Sequence, residues 1–465
     1  MRRIGVLRSH VASGPARTEP VAAEQRKPLE GIRVVELASV MAAPVAATLL
    51  ADYGAEVIKI EDPKNPDVTR SWGWGDDPSR TADPDLWQSV EGGGSSFVQL
   101  NRGKKSIGLN PMSADGKEVF FKLLATADVF ITNVRLKSLK KAGIDYESIS
   151  DRFPTLIYGH LSAFGRSGPM VDDPGYDFGA FWAQSGLMDI TKASEDAPPP
   201  REPGGIGDYN TGMQLLGGVF AALYDRTQTG KGQLVDAALM RAGVWSMAQP
   251  LASLMGGNSY TDPVEKRGNL RGPSVIGERW QATTKCPYQL KCGTWIQLLG
   301  NEVGKSMGKT CAALGVAPET LWGPNFDPAR PGADVDWQAS NRVADAIFAS
   351  KTLEEWEPIL AEHDVWYKPV ARFEDQRDPD KAAYAQSKAV GVFTEAEEHP
   401  DISRHDLLAT PVKLSNAPAV PRAPAPRFGQ HTEEVLAELG IGEAEAAALL
   451  ESGIAGVSKG TRPPR

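Results

Sequence analysis

LEGIRVVELASVMAAPVAATLLADYGAEVIKIE, residues 29–61, reads in turn as a strand, a helix and a second strand. Ile32 to Leu37 is a short, largely apolar run rich in β-branched residues, and Glu56 to Glu61 is another. Between them Pro44 to Tyr53 has helical composition, with proline near its first turn and Gly54 just past its end. A strand, helix and strand this closely spaced form a βαβ unit, and such units build a parallel sheet covered by helices. Glu61 sits where an acid could meet a ribose hydroxyl in a dinucleotide fold. The loop from Ala38 to Pro44, however, contains none of the glycines that let a pyrophosphate approach the main chain, so NAD is rejected.

Working outward, the α/β pattern continues. Ile107 to Leu109, Val129 to Thr132 and Leu156 to Ser162 read as further strands, with a helix from Ser113 to about Ala125. Cations stand beside these strands: Arg70, then Lys104 and Lys105, then Arg135, Lys137, Lys140 and Lys141. Each cluster alone is an ordinary solvated face, but together they could hold a polyphosphate, Arg by a bidentate fork and Lys as a point charge. Further on, Gly204-Gly205-Ile206-Gly207-Asp208-Tyr209-Asn210-Thr211-Gly212 leads into an apolar run, Met213 to Tyr224, that reads as a buried helix. An acid at a glycine-loosened helix entrance has two readings. Asp208, Asn210 and Thr211 could simply cap the helix, or the entrance could favour a reactive carboxylate and a developing oxyanion.

The chain has 465 residues and a net charge of −9. That length predicts two domains, since one compact core takes roughly 100–200 residues. The acidic balance argues against nucleic acid as a partner, and no apolar run approaches the ~18 residues of a membrane span. Cys286, Cys292 and Cys311 make neither a disulfide framework nor, lacking a nearby histidine, a zinc set. Residues 1–27 carry Arg2, Arg3, Arg8 and Arg17 before the first acid, Glu19, a composition like an organellar transit peptide or a disordered tail. The glycine-bearing stretch from Gly256 to Gly277 reads as a linker, and Cys286–Lys291 with Trp295–Leu299 as a hairpin turning at Cys292-Gly293.

Seven blocks, in order, resemble the signatures of the class III (family III) CoA-transferases of CaiB/BaiF type, the formyl-CoA transferase and carnitine CoA-transferase group. They are residues 29–70 as far as DVTR, LNRGKKSIGLN, ADVFITN, LIYGHLSAFGRSGP, GDYNTG, TGKGQLVDAALM and RFGQHTEEVLAELG. The resemblance covers about 28–455 and is loose from Gly256 to Val392. It implies an α/β fold: a large Rossmann-like parallel-sheet domain from both chain ends, and a smaller α+β middle domain. The expected division is 28–255, 256–399 (linker and small domain) and 400–456, with 457–465 a tail. The resemblance also implies a ring-like chain in an interlocked homodimer, with the active site between subunits.

On the same resemblance Asp208 is the nucleophile, with Gly204, Gly205 and Gly207 exposing backbone donors. Arg70, Lys104 and Lys141 would meet the CoA phosphates, Asn133 and Val134 would lie near its adenine and pantetheine, and Ser39, Val40 and Met41 would face the thioester. Ser39 and Met41 stand where the family often has a histidine or arginine and a glutamine, and Lys141 where arginine is common. The implied reaction moves CoA from an acyl-CoA to a small carboxylic acid through aspartyl anhydride and aspartyl-CoA. CoA is then a co-substrate, with no prosthetic group and no metal; the location would be cytoplasm or mitochondrial matrix.

Two alternatives remain at this stage. An α-methylacyl-CoA racemase-like epimerase needs a histidine in a Gly-His-Asp motif, where this chain has Gly175-Tyr176-Asp177; an unperturbed tyrosine, near ~10, is a poor substitute base. His160 reads as a core or rim histidine. The other alternative is an inactive CoA-binding relative.

Overall fold

The computed structural model describes residues 27–72, 93–192, 197–200, 202–256, 282–324, 335–395, 406–421 and 423–458. The N-terminal extension (apart from Lys27), most of the Gly256–Gly277 linker and the tail from 459 therefore lie outside the described residues.

The chain divides into two compact units. The first takes in the chain through Asp172, then Asp208–Ala238, then Gly391 onward; the second is Asp173–Gly207 and Leu239–Val390. Residues 173–207 and 239–255 thus group with the second unit, where the sequence reading put them with the first.

The first unit is built on β1 (Arg33–Leu37), β2 (Glu56–Glu61), β3 (Lys104–Leu109), β4 (Val129–Thr132), β5 (Ile157–Ser162) and β6 (Leu234–Ala238). These run parallel in the order β3-β2-β1-β4-β5-β6, and the late strand Ala455–Gly456 adds antiparallel to the β3 edge. Helices α1 (Ala42–Asp52), α2 (Ser95–Asn101), α3 (Ala114–Leu124), α4 (Leu136–Ala142) and α5 (Ile206–Thr229) accompany the sheet. Val34, Val35, Ile58, Phe130, Ile131 and Ile157 are completely buried. Each such side chain contributes about 1.5–3 kcal/mol relative to exposure, which explains why these strands read as unbroken apolar runs rather than alternations.

All eleven residues of α1 are buried, including Asp52. Asp52 is tolerated because Arg102 pairs with it at 2.8 Å and Thr410 donates to it at 2.7 Å. The helix ends where Gly54 takes φ +106°, open to glycine and strained for other residues.

Strand order reverses between β1 and β4. In open parallel sheets such a switch point opens a crevice at the carboxyl ends of the strands, where ligands bind. Helix α5 spans the sheet from that edge to the other. Gly212 packs on Ala42 and Val45 just past β1, while Arg226 donates to the carbonyls of Asp128 and Thr155, just before β4 and β5.

The second unit carries an antiparallel sheet of β7 (Pro287–Gln289), β8 (Trp295–Leu298) and β9 (Tyr367–Pro369). Tyr288 stacks on Phe348 at 4.6 Å between ring centroids and Phe348 meets Trp356 at 5.0 Å, fixing its core. The expected hairpin is present, with Gly293 in the left-handed region at φ +83°.

After β6 the chain forms two helices, Leu239–Ser246 and Ala248–Met255, parted at Met247. Trp182 lies in a π-type segment, Phe178–Ala183. One local expectation changes. β3 begins at Lys104 rather than Ile107, which carries Lys104 into the interior.

Candidate active site

Helix α5 begins at Ile206, so Asp208 falls in its first turn rather than at a capping position. Only 8% of Asp208 is exposed. One turn on, Gly212 lets α5 meet α1: a Cβ there would lie 2.5 Å from the Ala42 carbonyl oxygen and 2.8 Å from Val45 Cβ. Close approach of two backbones is the physical reason for glycine at this position. Since α5 starts at the carboxyl edge of the sheet, Asp208 stands on the side where the switch point opens.

The glycine turn before it, in the second unit, has its own organiser. The Gly205 N–H donates to Asp177 Oδ2 at 2.8 Å, and a side chain on Gly207 would collide with Asp177 and Phe181. Burial pushes the Asp177 carboxyl above its usual range, opposed by the N–H groups of Gly205 and Gly207. Gly205 is buried and its donor engaged, which departs from the expectation of three open donors; Gly204 is exposed.

At the switch point, the loop Ser39-Val40-Met41 follows β1 and Asn133 follows β4. Asn133 Oδ1 accepts the Ser39 N–H at 3.1 Å, and Asn133 Nδ2 donates to the Ser39 carbonyl at 2.7 Å. Val40 takes φ +68°, a strained backbone for a β-branched residue. Its N–H donates to Asp67 Oδ1 at 3.2 Å. Helix α1, which starts immediately afterward, has no side-chain cap at Met41.

Beneath the loop lies a buried network of three acids and three bases. Glu36 meets Lys59 at 3.1 Å and Lys104 at 2.7 Å, and Lys59 meets Asp67 at 2.9 Å. Arg70 grips both oxygens of Glu61, at 2.6 and 2.8 Å, with its guanidinium 3.8 Å over the Phe97 ring. Burial would raise Glu61, but Arg70 and its hydrogen bonds outweigh that and hold the carboxyl at about 2. Burial likewise presses on Lys59, yet Asp67 and Glu36 carry its ammonium above the usual lysine range. Lys104, between Glu36 and the like-charged Lys59, is pushed down to about 8, mainly by burial.

Arg70 and Lys104 are therefore interior ion-pair partners whose side chains have no measurable exposure. The sequence resemblance set them against CoA phosphates; here each is enclosed with a carboxylate, Glu61 for Arg70 and Glu36 for Lys104. Glu61, likewise enclosed, does not face a ribose site. Lys141 is exposed in the last turn of α4, and Val134 is half-buried.

His160 is fully buried. Arg166 can only donate, so His160 Nδ1 accepts its N–H at 3.1 Å and Nε2–H donates to the Val134 carbonyl at 3.0 Å. Burial holds this imidazole below its usual range, and it is the satisfied core histidine the sequence suggests. Tyr176 is 59% exposed and stacks on Phe178.

The profile described as CoA-transferase family III matches residues 29–432. This chain belongs to CoA-transferase family III. It is similar to the (R)-2-hydroxy-4-methylpentanoate CoA-transferase of Clostridioides difficile, 34% identical over 89% of this chain and 96% of that one. It is also similar to the succinyl-CoA:glutarate CoA-transferase of Mus musculus, 30% identical over 93% of this chain and 91% of the other. Among solved structures it resembles a CAIB/BAIF family protein from Brucella suis, with a TM-score of 0.67 and 29% identity over 89% of this chain and all of that one.

Three positions in this family III CoA-transferase escape a reading by motif alone: Asp67, Asp177 and Gly212. Their signals are faint in one sequence. Asp67 precedes Thr69 and Arg70 as a local cap, and Gly212 interrupts an otherwise helical run. The second unit also has a cavity of about 330 Å³ beside Gly300, Asn301 and Trp366. Its lysines, Lys305 and Lys309, are paired with Glu302 and Asp364, and the cavity shares no residue with the site around Asp208. Among the described residues no cluster of three metal-ligating side chains occurs and no helix is long and apolar enough to cross a membrane. All three cysteines are free thiols.

Proposed function

We propose that this enzyme moves CoA from an acyl-CoA thioester to a free carboxylic acid with Asp208 as the nucleophile. The placement of Asp208, nearly buried in the first turn of a 24-residue helix that starts at the carboxyl edge of a parallel sheet, carries this reading. An Asp208 oxygen attacks the thioester carbonyl, and the C–S bond breaks to give a mixed anhydride and CoA thiolate. The thiolate attacks the aspartyl carbonyl of the anhydride, forming aspartyl-CoA and releasing the donor acid with one Asp208 oxygen. The acceptor carboxylate then attacks aspartyl-CoA, and the returning thiolate takes the acceptor acyl group as a new thioester, leaving Asp208 ionised. No net proton or electron is needed.

The helix entrance favours the anionic Asp208 before attack, and the uncapped first turn of α1 offers N–H groups to developing oxyanions. Lys141 and Val134 are the positions we assign to CoA. An interlocked homodimer is the working form we propose. Free thiols fit a reducing compartment, cytoplasm or mitochondrial matrix.

The relatives' names span a branched hydroxy acid and the dicarboxylates succinate and glutarate, so the acceptor is best sought with a panel of both. Mass spectrometry after incubation with succinyl-CoA and other acyl-CoAs tests the reading. A CoA or acyl adduct on the peptide containing Asp208 is expected; CoA binding without any adduct across the panel would sink it. Exchange of a donor α-proton with solvent and no CoA transfer would favour epimerisation, a reading weakened by the engagement of both His160 nitrogens.

A further inference from the structure

The loop Ser39–Met41 is held by an unusual number of side chains for three residues. Asn133 takes both the N–H and the carbonyl of Ser39, so the two strands flanking the switch point are tied at their carboxyl ends. Lys59 Nζ donates to the Ala38 carbonyl at 2.8 Å from below. Asp67 Oδ1 accepts the Val40 N–H, and also the N–H and hydroxyl of Thr69 at 3.0 and 2.8 Å. Asp67 Oδ2 meets Lys59 at 2.9 Å, and the Asp67 N–H donates to Glu61 at 3.2 Å. Asp67 is therefore locked in place before it acts on the loop.

What these contacts hold is a conformation the chain would otherwise avoid. Val40 at φ +68° carries a branched side chain in the left-handed region, a state that persists only where the surroundings over-determine it. Glycine would adopt that backbone without strain, yet the position has valine. Strain of this kind clusters at sites where a backbone must be presented in one fixed pose. The strained residue lies two residues before α1, whose start meets α5 through Gly212, one turn from Asp208. The loop and the nucleophile are thus fixed to the same pair of helices.

We infer that Asp67 and Asn133 are positioning residues that clamp the Ser39–Met41 backbone against the reacting thioester. Asn133 acts on the loop rather than gripping CoA itself. The inference rests on the transferase reading of Asp208, but its subject is the neighbouring loop and not the nucleophile.

The test compares full-length wild type with Asn133→Ala, Val40→Gly, Asp67→Ala and Asp67→Asn. Succinyl-CoA is the donor, with the best acceptor from an acid panel. Deuterium uptake by the peptide spanning 38–41 gives a readout independent of turnover. Asn133→Ala and Val40→Gly are chosen because a half-exposed amide and a strained valine can be altered without leaving a buried charge unpaired. Both are expected to lower kcat by about 10- to 100-fold, the scale for misplacement near 1 Å. KM for succinyl-CoA should stay nearly unchanged, and uptake by the loop should rise by about ten-fold or more. Val40→Gly should also raise Tm, and Asp67→Asn, which keeps an acceptor for Val40, should recover more kcat than Asp67→Ala.

A raised KM with kcat intact in Asn133→Ala would show a CoA ligand and overturn the inference. Unchanged loop uptake in Asn133→Ala and Val40→Gly would overturn the clamp, and faster uptake with unchanged kcat would overturn its catalytic relevance. Wild type that transfers no CoA to any acid would fail the function reading directly, and the inference with it.

Discussion

Replacing Gly212 by alanine adds one methyl group where α5 crosses α1, one turn from Asp208. The new Cβ would lie 2.5 Å from the Ala42 carbonyl oxygen, whereas ordinary contact begins at 3.4 Å, so the helices must part by about 0.9 Å. The obstacle is backbone, which cannot swing aside as a flexible side chain would. Overpacking of this kind costs about 1–3 kcal/mol. The better helix propensity of alanine returns at most about 1 kcal/mol, leaving a net loss of stability. A displacement near 1 Å at the nucleophile is expected to lower kcat by about 100-fold.

Gly217 supplies the control within the same helix, since a Cβ there meets nothing within 4 Å. Gly217→Ala should gain roughly 0.5–1 kcal/mol from propensity alone, with kcat unchanged. Thermal unfolding and steady-state CoA transfer on the two variants measure both quantities. If Gly212→Ala matched Gly217→Ala in Tm and kcat, the packing of α5 on α1 would not set the position of Asp208.

Other outcomes follow from the same geometry. Asp208→Asn, nearly isosteric, should keep its fold and its affinity for succinyl-CoA while losing transfer altogether; residual turnover near the wild-type rate would contradict the nucleophile assignment. Glu61 is held at about 2 against an ordinary 4.5, so its ionisation adds roughly 3 kcal/mol to stability above about pH 4.5. Because the folded value is the lower one, that contribution fades as pH falls from about 4.5 toward 2. Glu61→Gln should therefore be destabilised at pH 7, where Arg70 loses the Glu61 carboxylate, and should show a flatter acid limb in urea titrations. Cys292 is exposed, with its thiol drawn below the usual range chiefly by a hydrogen bond with Thr294, whereas Cys311 is buried and pushed up to about 11. Iodoacetamide should label Cys292 in the native protein and reach Cys286 and Cys311 only after denaturation.

The βαβ opening and the helix behind Asp208 were legible because they rest on local signals: β-branched runs, a proline near the helix start and Gly54 after its end. The order of strands was not, since pairing β1 with β4 depends on contacts that no local pattern encodes. The basic residues show the same limit from the side of chemistry. Lys104 and Lys105, taken alone, read as an ordinary solvated face, yet Lys104 is the first residue of a buried strand. Its partner Glu36 comes from β1, far back in the chain. Arg70 is likewise enclosed by Glu61 and Phe97 only after folding. An acid brought in by folding decides whether a lysine or arginine is a ligand grip or a core ion pair. Asp177 escaped for a related reason: its role lies in accepting the N–H of Gly205, which the sequence places well downstream.

The most direct test of the central claim follows one oxygen atom. In the proposed reaction the acceptor acid leaves one carboxylate oxygen on Asp208 when CoA thiolate takes its acyl group. With an acceptor labelled by oxygen-18, the peptide containing Asp208 should gain the mass of one oxygen-18 in place of oxygen-16 after a single turnover, and Asp208→Asn should gain none. Sustained CoA transfer with Asp208 left unlabelled would contradict the account.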